Sequence, residues 1–213
     1  MSIINIIFIG PQGSGKGTQA QLTSKEYNIP HISTGDMFRE IREENSSLGR
    51  EVKELIDNGN MVSDELADQV VRKRIAKDDC KQGFILDGFP RDLAQAKYME
   101  KLAKIKYVVD INISDKESVK RLSARLTCKK QGHVFNRITH PPKKEGICDI
   151  CGGELIQRDD DLRSAIEQRL KTYHKKTQPL INFYKKEGLL IEINGQQDID
   201  KVFKDIKEKI GNN

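Results

Sequence analysis

Gly10-Pro11-Gln12-Gly13-Ser14-Gly15-Lys16-Gly17-Thr18 is the densest concentration of chemistry in the chain. Its glycines let the backbone turn tightly and aim successive N–H groups into one concavity, and a helix opening near Gly15 adds the positive end of its dipole. Lys16 then reaches the outer phosphates of a bound polyphosphate. Gly10, Gly13, Ser14, Gly15, Lys16, Gly17 and Thr18 are the candidate phosphate contacts. One departure from the general phosphate-loop pattern is that Gly17 follows the lysine directly and the hydroxyl comes one residue later, at Thr18.

Phe84-Ile85-Leu86-Asp87-Gly88-Phe89-Pro90-Arg91 is a second constellation. An acidic residue at the C-terminal end of a buried strand beside such a loop can hold Mg²⁺ through water, and Arg91 follows at the mouth of the same crevice. A third signal is cysteine spacing. Cys148-Asp149-Ile150-Cys151-Gly152-Gly153 reads as a zinc half-site, two thiolates on a tight turn, with Cys128 a short β-like segment away. His133 is the best fourth ligand, with Asp149 and His140 as alternatives; three metal-free reduced thiols are the bland reading. Cys80 reads as an ordinary thiol.

The elements that must carry these residues alternate. Continuous apolar runs at Ile3 to Ile9, Phe84 to Leu86, Tyr107 to Ile113 and Leu189 to Ile193 read as strands buried on both faces, separated by amphipathic helical segments. This is a βαβ pattern with a parallel sheet. Ser63-Asp64-Glu65 and Ser114-Asp115-Lys116-Glu117 read as helix starts. Arg163 to Tyr184 reads as a long helix interrupted at Pro179, and Asp198 to Ile210 as a final helix before a polar tail. Residues 33–62 are helical without supplying a strand, and residues 124–161, rich in Gly, Pro and Cys, read as a small stapled insertion. Arg121 and Arg125, spaced i,i+4, are expected on one helix face.

Gly13-Ser14-Gly15-Lys16-Gly17-Thr18-Gln19-Ala20, Ser33-Thr34-Gly35-Asp36 and Asp87-Gly88-Phe89-Pro90-Arg91, in this order, resemble the adenylate kinase family of nucleoside monophosphate kinases, in its long-lid, zinc-bearing form. The resemblance runs over essentially the whole chain. It implies a three-layer α/β phosphate-loop core of about five parallel strands, made of residues 1–32, 63–123 and 162–213. It also implies a monophosphate-binding insertion at 33–62 and a zinc-stapled lid at 124–161.

The implied reaction is phosphoryl transfer from MgATP to AMP, giving two ADP. The phosphate loop, Arg121, Arg125 and Gln197 would hold ATP; Thr34, Arg39, Met61, Val62, Gly88, Arg91, Gln95, Arg158 and Arg169 would hold AMP. Lys16, Arg91, Arg125, Arg158 and Arg169 would be the catalytic cations. Asp160 and Asp161 match paired aspartates at the lid's return hinge and are expected to cap the helix after them. In related lids a second cysteine often stands where this chain has Gln131, which is why His133 is needed. The attacking phosphate oxygen is already ionised near neutral pH, so no general base is implied.

With 37 Lys and Arg against 32 Asp and Glu, a net +5, the chain has too little positive excess to argue for nucleic acid, although the charge suits an anionic small molecule. The longest apolar stretch, Ile6 to Ile9, is too short for a bilayer, and the start lacks a basic leader region. A cytoplasmic monomer that binds neither membrane nor nucleic acid is the expectation. Two rivals stay open. One is a monophosphate kinase with UMP or CMP as acceptor or GTP as donor. The other is a zinc-ribbon nucleic-acid ATPase, disfavoured because no second acidic residue follows Asp87 and Phe135 is nearly alone as a stacking aromatic.

Overall fold

The computed structural model describes residues 3–211; the Met1-Ser2 start used in the leader reading and the terminal Asn212-Asn213 lie outside the described residues. Strand β1 (Ile4–Ile9) runs into helix α1 (Lys16–Tyr27) and strand β2 (His31–Ser33). Three helices follow, α2 (Thr34–Ile41), α3 (Ser47–Asp57) and α4 (Asp64–Ile75), then β3 (Gly83–Asp87), α5 (Leu93–Leu102), β4 (Tyr107–Asn112) and α6 (Asp115–Ser123). The stapled insertion supplies β5 (Arg125–Cys128), β6 (Val134–Asn136) and β7 (Leu155–Ile156). Helices α7 (Arg163–Thr172) and α8 (Pro179–Lys186), strand β8 (Leu190–Asn194) and α9 (Ile199–Gly211) complete the fold.

Among the described residues the main sheet has five strands in the order β2-β3-β1-β4-β8, all parallel. Strand alternation sends side chains into two apolar layers. Ile7, Leu86 and Val108 pack with Val71, Met99 and Leu180 from α4, α5 and α8; Ile6, Phe8 and Val109 pack with Ala20 of α1 and Val202 and Ile206 of α9. That is the three-layer α/β architecture. The chain leaves β1 toward β2 and β3 on one side and later reaches β4 and β8 on the other. The strand order therefore reverses beside β1, and a crevice opens at that strand's C-terminal end.

Three local readings change. Four strands are legible as apolar runs, but β2 is not, because its three residues include one apolar side chain, Ile32, and its place is secured by pairing with β3. The long helix is interrupted before Pro179: α7 ends at Thr172, Tyr173–Thr177 form a wider π turn, and Pro179 opens α8. There the proline's missing N–H costs nothing, since first-turn donors have no helical partner.

Arg125 does not share a helix face with Arg121. Helix α6 ends at Ser123, and Arg125 begins β5, which pairs antiparallel with β6 and β7. Burying Leu126 and Cys128 with Phe135, Cys148 and Leu155 in the small sheet's own core outweighs continuation of the helix.

At the far end of β3 from Asp87, Gly83 has φ +127°, and a Cβ there would lie 2.1 Å from the Ile4 carbonyl oxygen. Gly83→Ala is expected to lower Tm by roughly 10 °C in a thermal melt followed by circular dichroism. Turnover per folded molecule at low temperature should stay unchanged.

Candidate active site

The loop between β1 and α1 is built on backbone that favours glycine. Gly10, Gly13 and Gly15 have φ of +133°, +79° and +96°, and a Cβ on Gly10 would lie 2.3 Å from the Ile111 carbonyl oxygen. The half-buried Lys16 folds back into the loop, its Nζ donating to the carbonyls of Gly10 and Pro11, each at 2.8 Å. Burial pushes its pKa down to about 8; Arg91 and Arg169 push the same way, while Asp87 and Asp110 oppose. Ser14 Oγ is buried with no protein partner. The Gly17 departure also has a structural reason, since a Cβ there would stand 3.3 Å from Asp87 Oδ2.

Asp87 ends β3 in register with Phe8 of β1. Burial raises its pKa, but the neighbouring His31 imidazole and the Lys16 ammonium outweigh this and hold it below the usual carboxylate range. His31 Nε2 lies 3.7 Å from Asp87 Oδ2. An ionised carboxylate therefore faces the phosphate loop, as a water-mediated Mg²⁺ site requires.

Beside it lies a cleft between α2, the segment leading into α4 and the turn from Gly88 to Gln95. Thr34, Arg39, Met61, Val62, Gly88, Arg91, Gln95 and Arg169 all line it. Ser33 caps α2 by accepting the Asp36 N–H, which fixes Thr34 at the helix start. Gly88, at φ +85°, lets Thr34 approach: a Cβ would meet Thr34 Oγ1 at 2.7 Å. Arg91 donates through Nε to the Gly88 carbonyl at 2.8 Å, and Arg39 bonds Asp36. Arg158 is not among the lining residues; its Nε donates to Thr127 Oγ1 at 2.9 Å.

Asp160 and Asp161 do not cap α7. Leu162 occupies the N-cap without a side-chain bond, and the two aspartates are buried as arginine partners instead. Arg125 makes a bidentate pair with Asp161, through Nε at 2.7 Å and Nη2 at 2.6 Å. Arg169 Nη1 donates to the Asp160 carbonyl and lies 2.9 Å from the Asp160 carboxylate. Arg121 spans Glu117, through Nε at 2.8 Å, and the Gly195 carbonyl, through Nη2 at 3.0 Å. The Gln197 side chain donates to the Asn194 carbonyl and to Asp205.

These acids do not neutralise the cluster. Burial lowers the pKa of Arg91 to about 10, with Arg169 and Arg39 adding to the effect. Burial together with Arg125 and Arg39 lowers that of Arg158 to about 9.

Two residues of this region carry no signal in the spacing. Gln12 reads as filler between loop glycines, yet its Nε2 donates to the Arg169 carbonyl at 3.4 Å and its own carbonyl accepts from Ser118 Oγ. Asp64 reads only as a helix start, yet it bonds Gln95.

In the stapled insertion, the Sγ atoms of Cys128, Cys148 and Cys151 and a ring nitrogen of His133 all lie within 4.8 Å of one another. Cys128 and Cys151 sulfurs are 3.4 Å apart, and Cys148 Sγ is 3.3 Å from His133 Nδ1. Asp149 and His140 are engaged elsewhere: Asp149 accepts the Lys143 N–H, and His140 stacks on Phe135. Burial raises the Cys128 and Cys148 thiols, but backbone N–H groups of Gln131 and Lys130, and of Cys151 and Ile150, outweigh it and favour thiolates. Gly153 leaves the space this needs, since a Cβ there would meet Cys128 Sγ at 2.9 Å. Among the described residues this cluster could hold a metal ion.

Lys16 supplies a pH test. Its folded pKa of about 8 lies below the unfolded 10.5, so the unfolded chain binds more protons across that window, and the cost of burying the charged Lys16 is relieved as pH rises through it. Bound phosphate favours the protonated lysine. Binding of a nucleoside triphosphate near pH 9 is therefore expected to take up protons, measured by calorimetry in two buffers of different ionisation enthalpy. Lys16→Met should lower the uptake, leaving the share that Arg158 contributes.

A family model described as adenylate kinase matches residues 8–189. An adenylate kinase of Treponema denticola is 49% identical over 206 residues, covering 97% of this chain and 99% of that one. One from a Geobacillus species is 47% identical over 213 residues, covering 98% and 99%. One from Archaeoglobus fulgidus is 45% identical over 209 residues, covering 96% of each. With a phosphate loop at the sheet's reversal point, an ionised carboxylate beside it and a cleft ringed by arginines, the chain belongs to the adenylate kinase family.

Proposed function

We propose that this enzyme carries out the adenylate kinase reaction, phosphoryl transfer from MgATP to AMP giving two ADP, by positioning and charge neutralisation without a general base. The reaction is that of the family, and no observation favours another acceptor, another donor or a nucleic-acid ATPase. The mode of catalysis is carried by one observation: a crevice in which burial, reinforced by neighbouring cations, holds the pKa of Lys16, Arg91, Arg158 and Arg169 down. Such a site is incomplete until an anion enters.

In this reading the loop from Gly10 to Thr18 wraps the ATP phosphates in backbone N–H groups, with Arg121, Arg125 and backbone near Gln197 completing that side. Thr34, Gly88 and Gln95, with backbone at Met61 and Val62, hold the AMP base, and Arg39, Arg91, Arg158 and Arg169 its phosphate. Lys16, Arg91, Arg125, Arg158 and Arg169 neutralise the charge that develops on the transferred group, where one placed arginine is worth roughly 10³–10⁵ in rate. Asp87 would hold Mg²⁺ through water, and the ion would supply further charge neutralisation at the phosphates. The AMP phosphate, with a second pKa of about 6, is its own ionised nucleophile.

The three-part division extends the same reading. Residues 33–62 close over the monophosphate and 124–161 over the triphosphate, on a core formed by 1–32, 63–123 and 162–213. Closure keeps water from accepting the phosphoryl group. Cys128, His133, Cys148 and Cys151 fit a structural Zn²⁺, since three thiols and an imidazole at this spacing match a closed tetrahedral donor set. The insertion's buried apolar cluster holds five residues, too few to hold a fold unaided, which gives the metal its task.

The described residues contain no helix long and apolar enough to cross a membrane. A cytoplasmic monomer that acts on nucleotides alone, without nucleic acid or membrane, is the simplest setting for such an enzyme.

Two measurements check this. Phosphorus NMR of ATP incubated with each monophosphate should show two ADP formed with AMP, and Arg91→Ala should slow that by roughly 10³ while the protein stays folded. Near-normal turnover in Arg91→Ala sinks the positioning mechanism. Metal analysis should find about one zinc per chain, with Cys148→Ser losing it and melting earlier; an equally stable metal-free protein removes the staple.

A further inference from the structure

Gln95 is buried, 2% exposed, and its carboxamide is tied at both ends. Oε1 accepts the Arg91 backbone N–H at 2.8 Å, and Nε2 donates to Asp64 Oδ1 at 2.6 Å. Neither partner can reverse its role, because a backbone N–H only donates and an ionised carboxylate only accepts. Turning the amide over would set N–H against N–H and oxygen against carboxylate, breaking both part-buried hydrogen bonds. The orientation of a glutamine amide is normally ambiguous; here its neighbours decide it. Asp64 is itself held in the first turn of α4, capped by Ser63, where the helix dipole favours a carboxylate.

The locked amide has one N–H and one lone pair left for the cleft that it lines. A 6-aminopurine presents a ring-nitrogen acceptor beside an amino donor; a 6-oxopurine presents a ring N–H donor beside a carbonyl acceptor. The two edges are reversals of each other. An amide free to turn over could serve either, whereas a locked one serves one.

We infer that Asp64 is a specificity-determining positioning residue, which holds the Gln95 amide in the orientation that accepts a 6-aminopurine monophosphate and rejects a 6-oxopurine one. The inference rests on the reading of Gln95 as the group that contacts the acceptor base.

The test compares kcat/KM for AMP and for inosine monophosphate, which reverses the edge without adding a 2-amino group. In Asp64→Asn the new amide can offer either oxygen or N–H, so one of the two locks is released and only the Arg91 N–H still holds the Gln95 amide. The AMP-to-IMP ratio of kcat/KM is expected to fall about tenfold or more, through KM, with kcat for AMP little changed. Asp64→Glu, which keeps the carboxylate, should retain the ratio, and Gln95→Ala should lower it. A lowered ratio in Gln95→Ala with an intact one in Asp64→Asn overturns the role of Asp64 and leaves the Gln95 reading standing. An unchanged ratio in Gln95→Ala overturns both. A proportionate loss toward both nucleotides in Asp64→Asn means that Asp64 only supports the fold, and also overturns the inference.

Discussion

Repulsion among like charges is the constraint around which this crevice is built. Burial first, and neighbouring cations after it, lower the proton affinity of Lys16, Arg91, Arg158 and Arg169. Two such charges 4 Å apart interact by about 4 kcal/mol at an effective dielectric of 20. The folded protein tolerates this because buried carboxylates stand between the cations. Asp161 takes a fork from Arg125, Asp160 and Asp161 share Arg169, and Asp87 faces Lys16. The compensation is partial, which leaves the crevice a strong field for an anion and gives nucleotide phosphates a role in completing the structure as well as in reacting.

The fold makes that arrangement possible by assigning each charge to a different element. Lys16 opens α1 at the sheet's reversal point, Asp87 ends β3, Arg91 precedes α5, and Arg169 projects from α7. Arg125 and Arg158 stand at the same end of the small antiparallel sheet, where β5 begins and just past the end of β7, so their positions depend on how that sheet sits over the core. Arg42 adds a direct tie across the cleft, pairing with Asp57 at 3.0 Å and with Asp159 at 3.3 Å. Under the function proposed, the cations that neutralise transferred charge would move with the segments that open to admit substrate and close to exclude water.

Legibility in the sequence followed the range of the interaction. Strands β1, β3, β4 and β8 announce themselves as apolar runs because each is buried on both faces, and the phosphate loop because its glycines answer local backbone demands at Gly10, Gly13 and Gly15. Strand β2 is too short to carry a pattern and exists through its pairing with β3. Arg125 has helical spacing from Arg121, yet burial of its neighbours Leu126 and Cys128 puts it on a strand. Asp160 and Asp161 look like cap residues, and become ion-pair partners because arginines from β5 and α7 converge on them.

The sequence by itself determined the alternating α/β pattern, the phosphate loop with its lysine, the strand-end carboxylate and the cysteine half-site, since each depends on residues adjacent in the chain. Only the tertiary structure decided which cations share a crevice and which acids sit between them. It also brought His133, rather than Asp149 or His140, to the three sulfurs and set the Asp64 carboxylate against the Gln95 amide. Those outcomes join positions far apart in the chain, and their energies are differences between burial and pairing that have no value until the chain has folded around them.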